Sequence, residues 1–433
     1  MLRRLFLLVS SAVFAGALVS PAVHASPSPS VADRHVTYTS FDSQRDFVRG
    51  SWSGVEPVRG GTLAISPRSR HSATYTDPFG DGKTKTYDTG SWTSPVTSSS
   101  YGATEAIASW NATTPTGTFV ETTFRGQHAD GSWTKWYVLG RWASGDDFDR
   151  GDIHRTSLDG QRDEDGTVYT DTFAAKSGRE VTAHQTRVTL LRPAGSRTTP
   201  TLSAIGTMTS AVPDGHPEAV SGFTLGRATE LKVPRFSQNI HEGEYPEYGG
   251  GGEVWCSPTA TSMVQYFWGR KHQVPRSELD QIVAPNGDPQ IGYAARKTWD
   301  YTYEGAGNWP FNAAYASTFG LESFVTRLRS LAEAEKFIAA GIPVVASLSF
   351  TREEMPEAGY ATNGHLLVIV GFTEDGDPVI NDPASSSNAA VRNVYTRENF
   401  EKVWIGHSGG VSYIFHPNQV KLPRTVSGLE HNW

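Results

Sequence analysis

The chain has 433 residues and a formal charge of -7 at neutral pH, with a sequence pI near 6.0. That balance offers no basic field for nucleic acid. Beyond the N-terminus no apolar run approaches the roughly 18 residues of a membrane span, and a single cysteine excludes an internal disulfide.

Residues 1–25 join two arginines, an apolar run from Leu5 to Val19 and small residues at Val23 and Ala25. This is the pattern of a secretory signal cleaved after Ala25, and Arg3-Arg4 before Leu5-Phe6-Leu7 also fits a twin-arginine signal. A secreted product is expected. The roughly 400 residues that remain suit two domains of ordinary size. Residues 26–34 read as a polar Pro/Ser linker.

From 35 to 227 there is no helical period. Short alternating runs, such as Thr118 to Arg125, Trp133 to Leu139 and His184 to Leu191, are separated by Gly, Asp, Asn and Pro, which predicts an all-β, jelly-roll-like sandwich. Its tryptophans Trp92, Trp110, Trp133, Trp136 and Trp142 read first as core, with a glycan- or cell-wall-binding face as the alternative. Two acidic clusters, Asp146 to Asp152 and Asp163 to Asp165, lack the alternating ligand spacing of a calcium loop and read as solvated turns. Asn111-Ala112-Thr113 matches a glycosylation acceptor.

Pro213 to Pro217 (PDGHP) punctuates the chain, and from 228 to 433 helical and strand patterns mix into an α+β domain. Leu231 to Gln238 is extended. A glycine-rich loop then leads to Cys256, after which Ala260, Met263, Val264 and Phe267 take helical spacing. Ser257 is placed to cap that helix, Pro258 suits its first turn and Gly269 its end. The positive end of a helix favours thiolate over thiol. Ser330-Leu331-Ala332-Glu333 reads as a capping box opening a helix to Gly341. Ile342 to Leu348 and Gly364 to Phe372 are apolar strands, and Thr373 to Asp377 turns the chain into Pro378 to Pro383.

A cysteine nucleophile needs a base and a group that orients the base. His365, at the mouth of a buried strand, is the candidate base. Asp382, 17 positions on in the returning strand, is the candidate orienting acid. If Phe372 pairs with Pro378, Ser385 falls opposite His365, so Asp382 is offset by three and Asn381 competes for the role. A carboxylate holds an imidazolium better than an amide does, which favours Asp382. The Cys256 N–H and the amide of an upstream glutamine, Gln238, would serve a developing oxyanion.

Val233 to Gln238, Cys256 to Ala260, Gly364 to Val368 and Asn381-Asp382-Pro383 together resemble the papain-like peptidases of the bacteriocin-processing, double-glycine-leader type. The resemblance spans about residues 228 to 420 and implies a papain-like cysteine peptidase fold. It implies Cys256 as nucleophile, His365 as base, Asp382 as orienting acid and Gln238 as oxyanion donor, with a peptide or protein substrate and no metal or organic cofactor. Ser257 stands where that family usually has glycine, and Gln238 lies 18 positions before Cys256 with a glycine-rich insertion between. Members that cleave double-glycine leaders are joined to a membrane transporter, a segment not found here, so the leader-peptide substrate does not carry over. The same triad would serve a cell-wall amidase or endopeptidase, or an acyl transferase; a glycan-binding protein with a remnant peptidase domain is the non-enzymatic alternative.

Overall fold

The computed structural model describes residues 30–217 and 219–433. The stretch 1–25, expected to be a secretory signal, and the first residues of the expected linker lie outside them. The end of that linker is no spacer. Val31–Asp33 forms a short turn, and Arg34 is buried with its guanidinium donating to the Arg329 carbonyl.

Two seven-stranded antiparallel sheets follow. The strand Phe119–Gln127 shows why: Val120 and Phe124 alternate inward and are fully buried, set opposite Leu190 and Thr186 of Val181–Pro193. Leu63, Ala106, Trp110 and Ile205 from one sheet share a core with Trp92, Leu139, Trp142 and Val188 from the other. Trp92, Trp110 and Trp142 are therefore filling. Trp133 and Trp136 are only half-buried, but they stack against guanidinium groups: Arg125 lies 4.2 Å from the Trp133 ring centroid and Arg187 4.1 Å from that of Trp136. Asn111 is buried in the strand Glu105–Thr113.

The acidic stretches are not simply solvated turns. Asp146 binds Lys297 at 2.6 Å and pairs with Arg296, Asp152 accepts the N–H of Gly117 at 3.0 Å, and Asp163 accepts the Tyr137 hydroxyl at 2.5 Å. Asp165 pairs with His128 at 3.1 Å and with Arg179. Several of these carboxylates tie distant segments together, which spacing within the stretch could not reveal.

Between Ala211 and Thr229 there is no helix or strand among the described residues, yet the connection is docked. Ser221 donates through N–H and hydroxyl to Glu401 at 2.7 and 2.6 Å, and Arg397 donates to the Ser221 carbonyl at 2.6 Å.

The C-terminal part is built on a third antiparallel sheet. Its order is Glu322–Arg327, Val411–His416, Val344–Phe350, Thr362–Phe372, Pro378–Asn381 and Arg392–Val394, with Thr229–Glu230 added beside Thr362–Phe372. Alternation divides its faces. Leu366, Val368 and Val370 pack with Ala260, Met263 and Val264 of the helix Cys256–Phe267. Leu367 and Ile369 pack with Phe337 of Leu331–Ala339 and Trp404 of Arg397–Ser408. The capping box at Ser330 does not form: the Ser330 side chain makes no cap bond. Glu333 instead accepts from the Arg329 N–H and guanidinium at 2.7 and 3.0 Å, since burial makes an arginine partner the stronger competitor.

The N-terminal and C-terminal parts share their interior. Ala294, Phe311, Ala314 and Tyr315 belong to the same core as Trp110 and Trp142. Arg155, fully buried, donates to the carbonyls of Trp299 and Arg296 at 3.2 and 2.6 Å.

Candidate active site

Cys256 is the first residue of the helix Cys256–Phe267, preceded by Trp255 at the cap position. Trp255 is fully buried and its indole N–H donates to the Tyr248 carbonyl at 2.7 Å, which anchors the helix start. Ser257 does not cap. It is already inside the helix, where its hydroxyl lies 3.0 Å from that of Tyr413. The Cys256 N–H belongs to the first turn, where no earlier helical carbonyl can take it.

The glycine-rich insertion is folded on itself. Gly243 donates to the Gly250 carbonyl at 2.7 Å and Gly250 to that of Tyr245 at 3.0 Å. Gly251 has φ of 67°, and a Cβ there would fall 1.9 Å from the His241 carbonyl oxygen, so only glycine fits. The turn Asn239–His241 thereby packs against Gly252–Val254, just ahead of Cys256. Gln238 is buried, donates its N–H to the Pro383 carbonyl at 2.9 Å and leaves its Oε1 buried without a partner. The long spacing between Gln238 and Cys256 is thus absorbed by the loop. Gln238 is held beside the residue that follows Asp382.

His365 and Asp382 meet, with Nε2 2.8 Å from Oδ1. The reason is one extra residue. Phe372 pairs with Pro378 and Gly371 with Val379, but the next pair is Ile369 with Ile380, leaving Val370 as a bulge. Val368 then faces Asn381. Continuing that register sets Asp382 across from Leu367, on the face that His365 also occupies. Asn381 falls on the other face and donates to the carbonyls of Val233 and Pro234 at 3.3 and 3.2 Å.

Asp382 is fully engaged. Its Oδ1 also accepts the Ala384 N–H at 2.9 Å. Its Oδ2 accepts the hydroxyls of Tyr360 at 2.7 Å and Tyr395 at 2.6 Å. Neither tyrosine was marked by a sequence signal: one precedes the histidine strand in a loop, and the other follows a three-residue edge strand. The Tyr360 ring also meets the His365 ring edge-on, 5.8 Å between centroids.

Burial alone would disfavour the His365 imidazolium, but the Asp382 carboxylate and the hydrogen-bonding Cys256 side chain outweigh it and push the imidazole up to about 10. Burial likewise opposes the Asp382 carboxylate, and the His365 charge with the hydrogen bonds of His365, Tyr395 and Tyr360 brings it down to about 2. The imidazole therefore has the carboxylate on Nε2, and the Cys256 side chain is among the groups that raise it. A thiolate–imidazolium pair with a buried counter-charge can attack an acyl carbon and hand a proton to a leaving group.

Cys256 and His365 open onto a cleft of about 960 Å³ lined from both parts of the molecule. Thr104, Glu105 and Tyr169 to Thr172 form one wall; Val254, Tyr303, Glu304 and Trp309 belong to the other part. Tyr169, Val254 and Tyr303 are all exposed there. Burial pushes the Asp171 carboxyl, which takes the Trp309 N–H at 2.8 Å, up to about 7. A second hollow, about 740 Å³ and lined by Asp146, Phe148, Tyr293 and Arg296, is separate from these residues.

Residues 37–210 match the family model for the peptidase C39 N-terminal domain, and residues 230–411 match that of the peptidase C39-like family. A search of curated proteins finds no match. Among solved structures, one from work on the promiscuous specificity of carbohydrate-binding modules of the β-sandwich superfamily aligns at 11% identity. It covers 39% of this chain and 56% of that one with a TM-score of 0.17, too low to bear on fold or function. No helix among the described residues is long and apolar enough to cross a membrane. The peptidase model covers the segment that carries Gln238, Cys256, His365 and Asp382, and the N-terminal model covers the two sheets ahead of it; the chain thus carries a peptidase C39-like domain behind a peptidase C39 N-terminal domain.

Proposed function

We propose that the protein is an exported cysteine peptidase that hydrolyses peptide bonds through an acyl-enzyme on Cys256. The observation that carries this reading is the placement of the buried imidazole: His365 holds Asp382 at 2.8 Å on Nε2 and lines one cleft together with Cys256. The Cys256 thiolate attacks the carbonyl carbon of the scissile bond. The oxyanion is taken by the Cys256 N–H and the Gln238 amide, and His365 passes its proton to the leaving amine. A water, deprotonated by His365, then attacks the thioester, releasing the acid and regenerating the thiolate. Asp382 keeps the imidazole oriented and charged, with Tyr360 and Tyr395 fixing the carboxylate. Since residues of the N-terminal domain line the cleft, that domain takes part in choosing the substrate.

The test compares the mature protein and Cys256→Ala on casein, a peptide library and peptidoglycan, together with iodoacetamide alkylation near neutral pH. Cleavage of protein or peptide that disappears in Cys256→Ala, with alkylation faster than that of a free thiol, supports the proposal. Equal behaviour of the two proteins on every substrate refutes it, and turnover of peptidoglycan alone would reassign the enzyme as a cell-wall hydrolase.

A further inference from the structure

His216, Glu354 and His407 come from three separate segments: the connection between the domains, the loop after the strand Val344–Phe350, and the helix Arg397–Ser408. One ligand atom from each lies within 4.8 Å of the others. His216 Nε2 is 3.0 Å and His407 Nε2 2.9 Å from the same oxygen, Glu354 Oε1. The two ring planes stand at 88° to each other with centroids 4.8 Å apart.

The surroundings orient each group. Glu354 Oε2 accepts the Thr351 N–H at 2.8 Å, which turns Oε1 toward the histidines. His216 Nδ1 lies 3.0 Å from the Lys402 carbonyl oxygen. A carbonyl only accepts, so Nδ1 carries the proton, and in the neutral ring Nε2 is left as a bare lone pair facing a carboxylate oxygen. At 3.0 Å from Glu354 Oε1, that position is filled by a proton on Nε2 or by a bound cation. An imidazole whose far nitrogen donates to a backbone carbonyl is the usual arrangement of a metal-bound histidine. Gly406 permits the docking, since a Cβ there would fall 2.3 Å from His216 Nδ1.

We propose that His216, Glu354 and His407 form a divalent-metal site, with Zn²⁺ the ion best suited to two imidazoles and one carboxylate. Bonds of about 2.0–2.2 Å in a tetrahedral shell separate neighbouring ligand atoms by about 3.3 Å, close to the 3.0 and 2.9 Å between Glu354 Oε1 and the two imidazole nitrogens. All three side chains are partly exposed, at 42%, 27% and 33%, which leaves the fourth position to water. His407 also lines the cleft that holds Cys256. The ion would therefore clamp the inter-domain connection to the cleft rim. The site is independent of the peptidase reading.

The experiment is calorimetric titration of ZnCl₂ into the full mature chain carrying Cys256→Ala, which removes the thiol as a competing ligand. The expected result is one saturable site per chain and a thermal midpoint that rises with zinc, with affinity at least tenfold weaker in His407→Ala and in Glu354→Gln. Glu354→Gln preserves side-chain size, so its loss of binding is not a folding effect. No saturable uptake by the Cys256→Ala protein, or uptake unchanged by both substitutions, overturns the proposal.

Discussion

Asp382→Asn isolates the charge of the proposed orienting group from its shape. The amide oxygen can keep the His365 and Ala384 donors that Oδ1 has now, while the Tyr360 and Tyr395 hydroxyls rotate to accept from the amide nitrogen. The fold is therefore expected to survive, and what is lost is the attraction between carboxylate and imidazolium. For unit charges about 4 Å apart at an effective dielectric near 20 that attraction is about 4 kcal/mol, or about three pH units. His365, held up at about 10 in the native chain, then falls to about 7. The assay is the pH profile of kcat/KM on a cleaved peptide, paralleled by the rate of iodoacetamide alkylation. Wild type should keep its alkaline limb near the raised His365 value, whereas Asp382→Asn should begin to lose activity near neutrality. An alkaline limb that moves by less than about half a unit would mean that Asp382 does not maintain the imidazolium, and the assigned triad would fail.

Gln238→Ala should lower kcat by about 10²–10³-fold while leaving the alkylation rate of Cys256 unchanged, because alkylation forms no oxyanion; equal loss in both would make Gln238 structural. Tyr360→Phe and Tyr395→Phe each remove a hydroxyl donor to a buried carboxylate, so each should cost about 1.5–3 kcal/mol in urea unfolding and, because those hydrogen bonds help to hold the Asp382 carboxyl down, move the acid limb of the pH profile upward. Residues 35–227 and 228–433 made as separate chains should each fail to give a cooperative thermal transition, because Phe311 and Tyr315 would be stripped from the core that holds Trp110 and Trp142; two sharp transitions would refute the shared core.

The reach of sequence reasoning here follows the distance over which each feature is decided. The cysteine helix, the helix ending at Gly341 and the 373–377 turn are set by neighbouring residues, and each stands close to its expected place. Features decided by a distant partner were not legible. The acidic stretches pair with segments far along the chain, and the two parts of the molecule merge their cores across a boundary that composition had marked as a division.

The choice between Asp382 and Asn381 lies between these cases. With an uninterrupted ladder from Phe372 and Pro378, Asp382 would face Val368 and point away from His365. The bulge at Val370 advances the ladder by one residue and exchanges the faces of Asn381 and Asp382. Asn381 then secures the Val233–Pro234 segment that leads to Gln238, while Asp382 reaches the imidazole. A single unpaired residue, with no turn-forming side chain to announce it, thus decides both which side chain meets His365 and the anchoring of the segment that carries Gln238, the proposed oxyanion donor. Chemical preference for a carboxylate pointed to Asp382 without knowledge of the bulge. The bulge is the physical reason that this preference and the strand register agree.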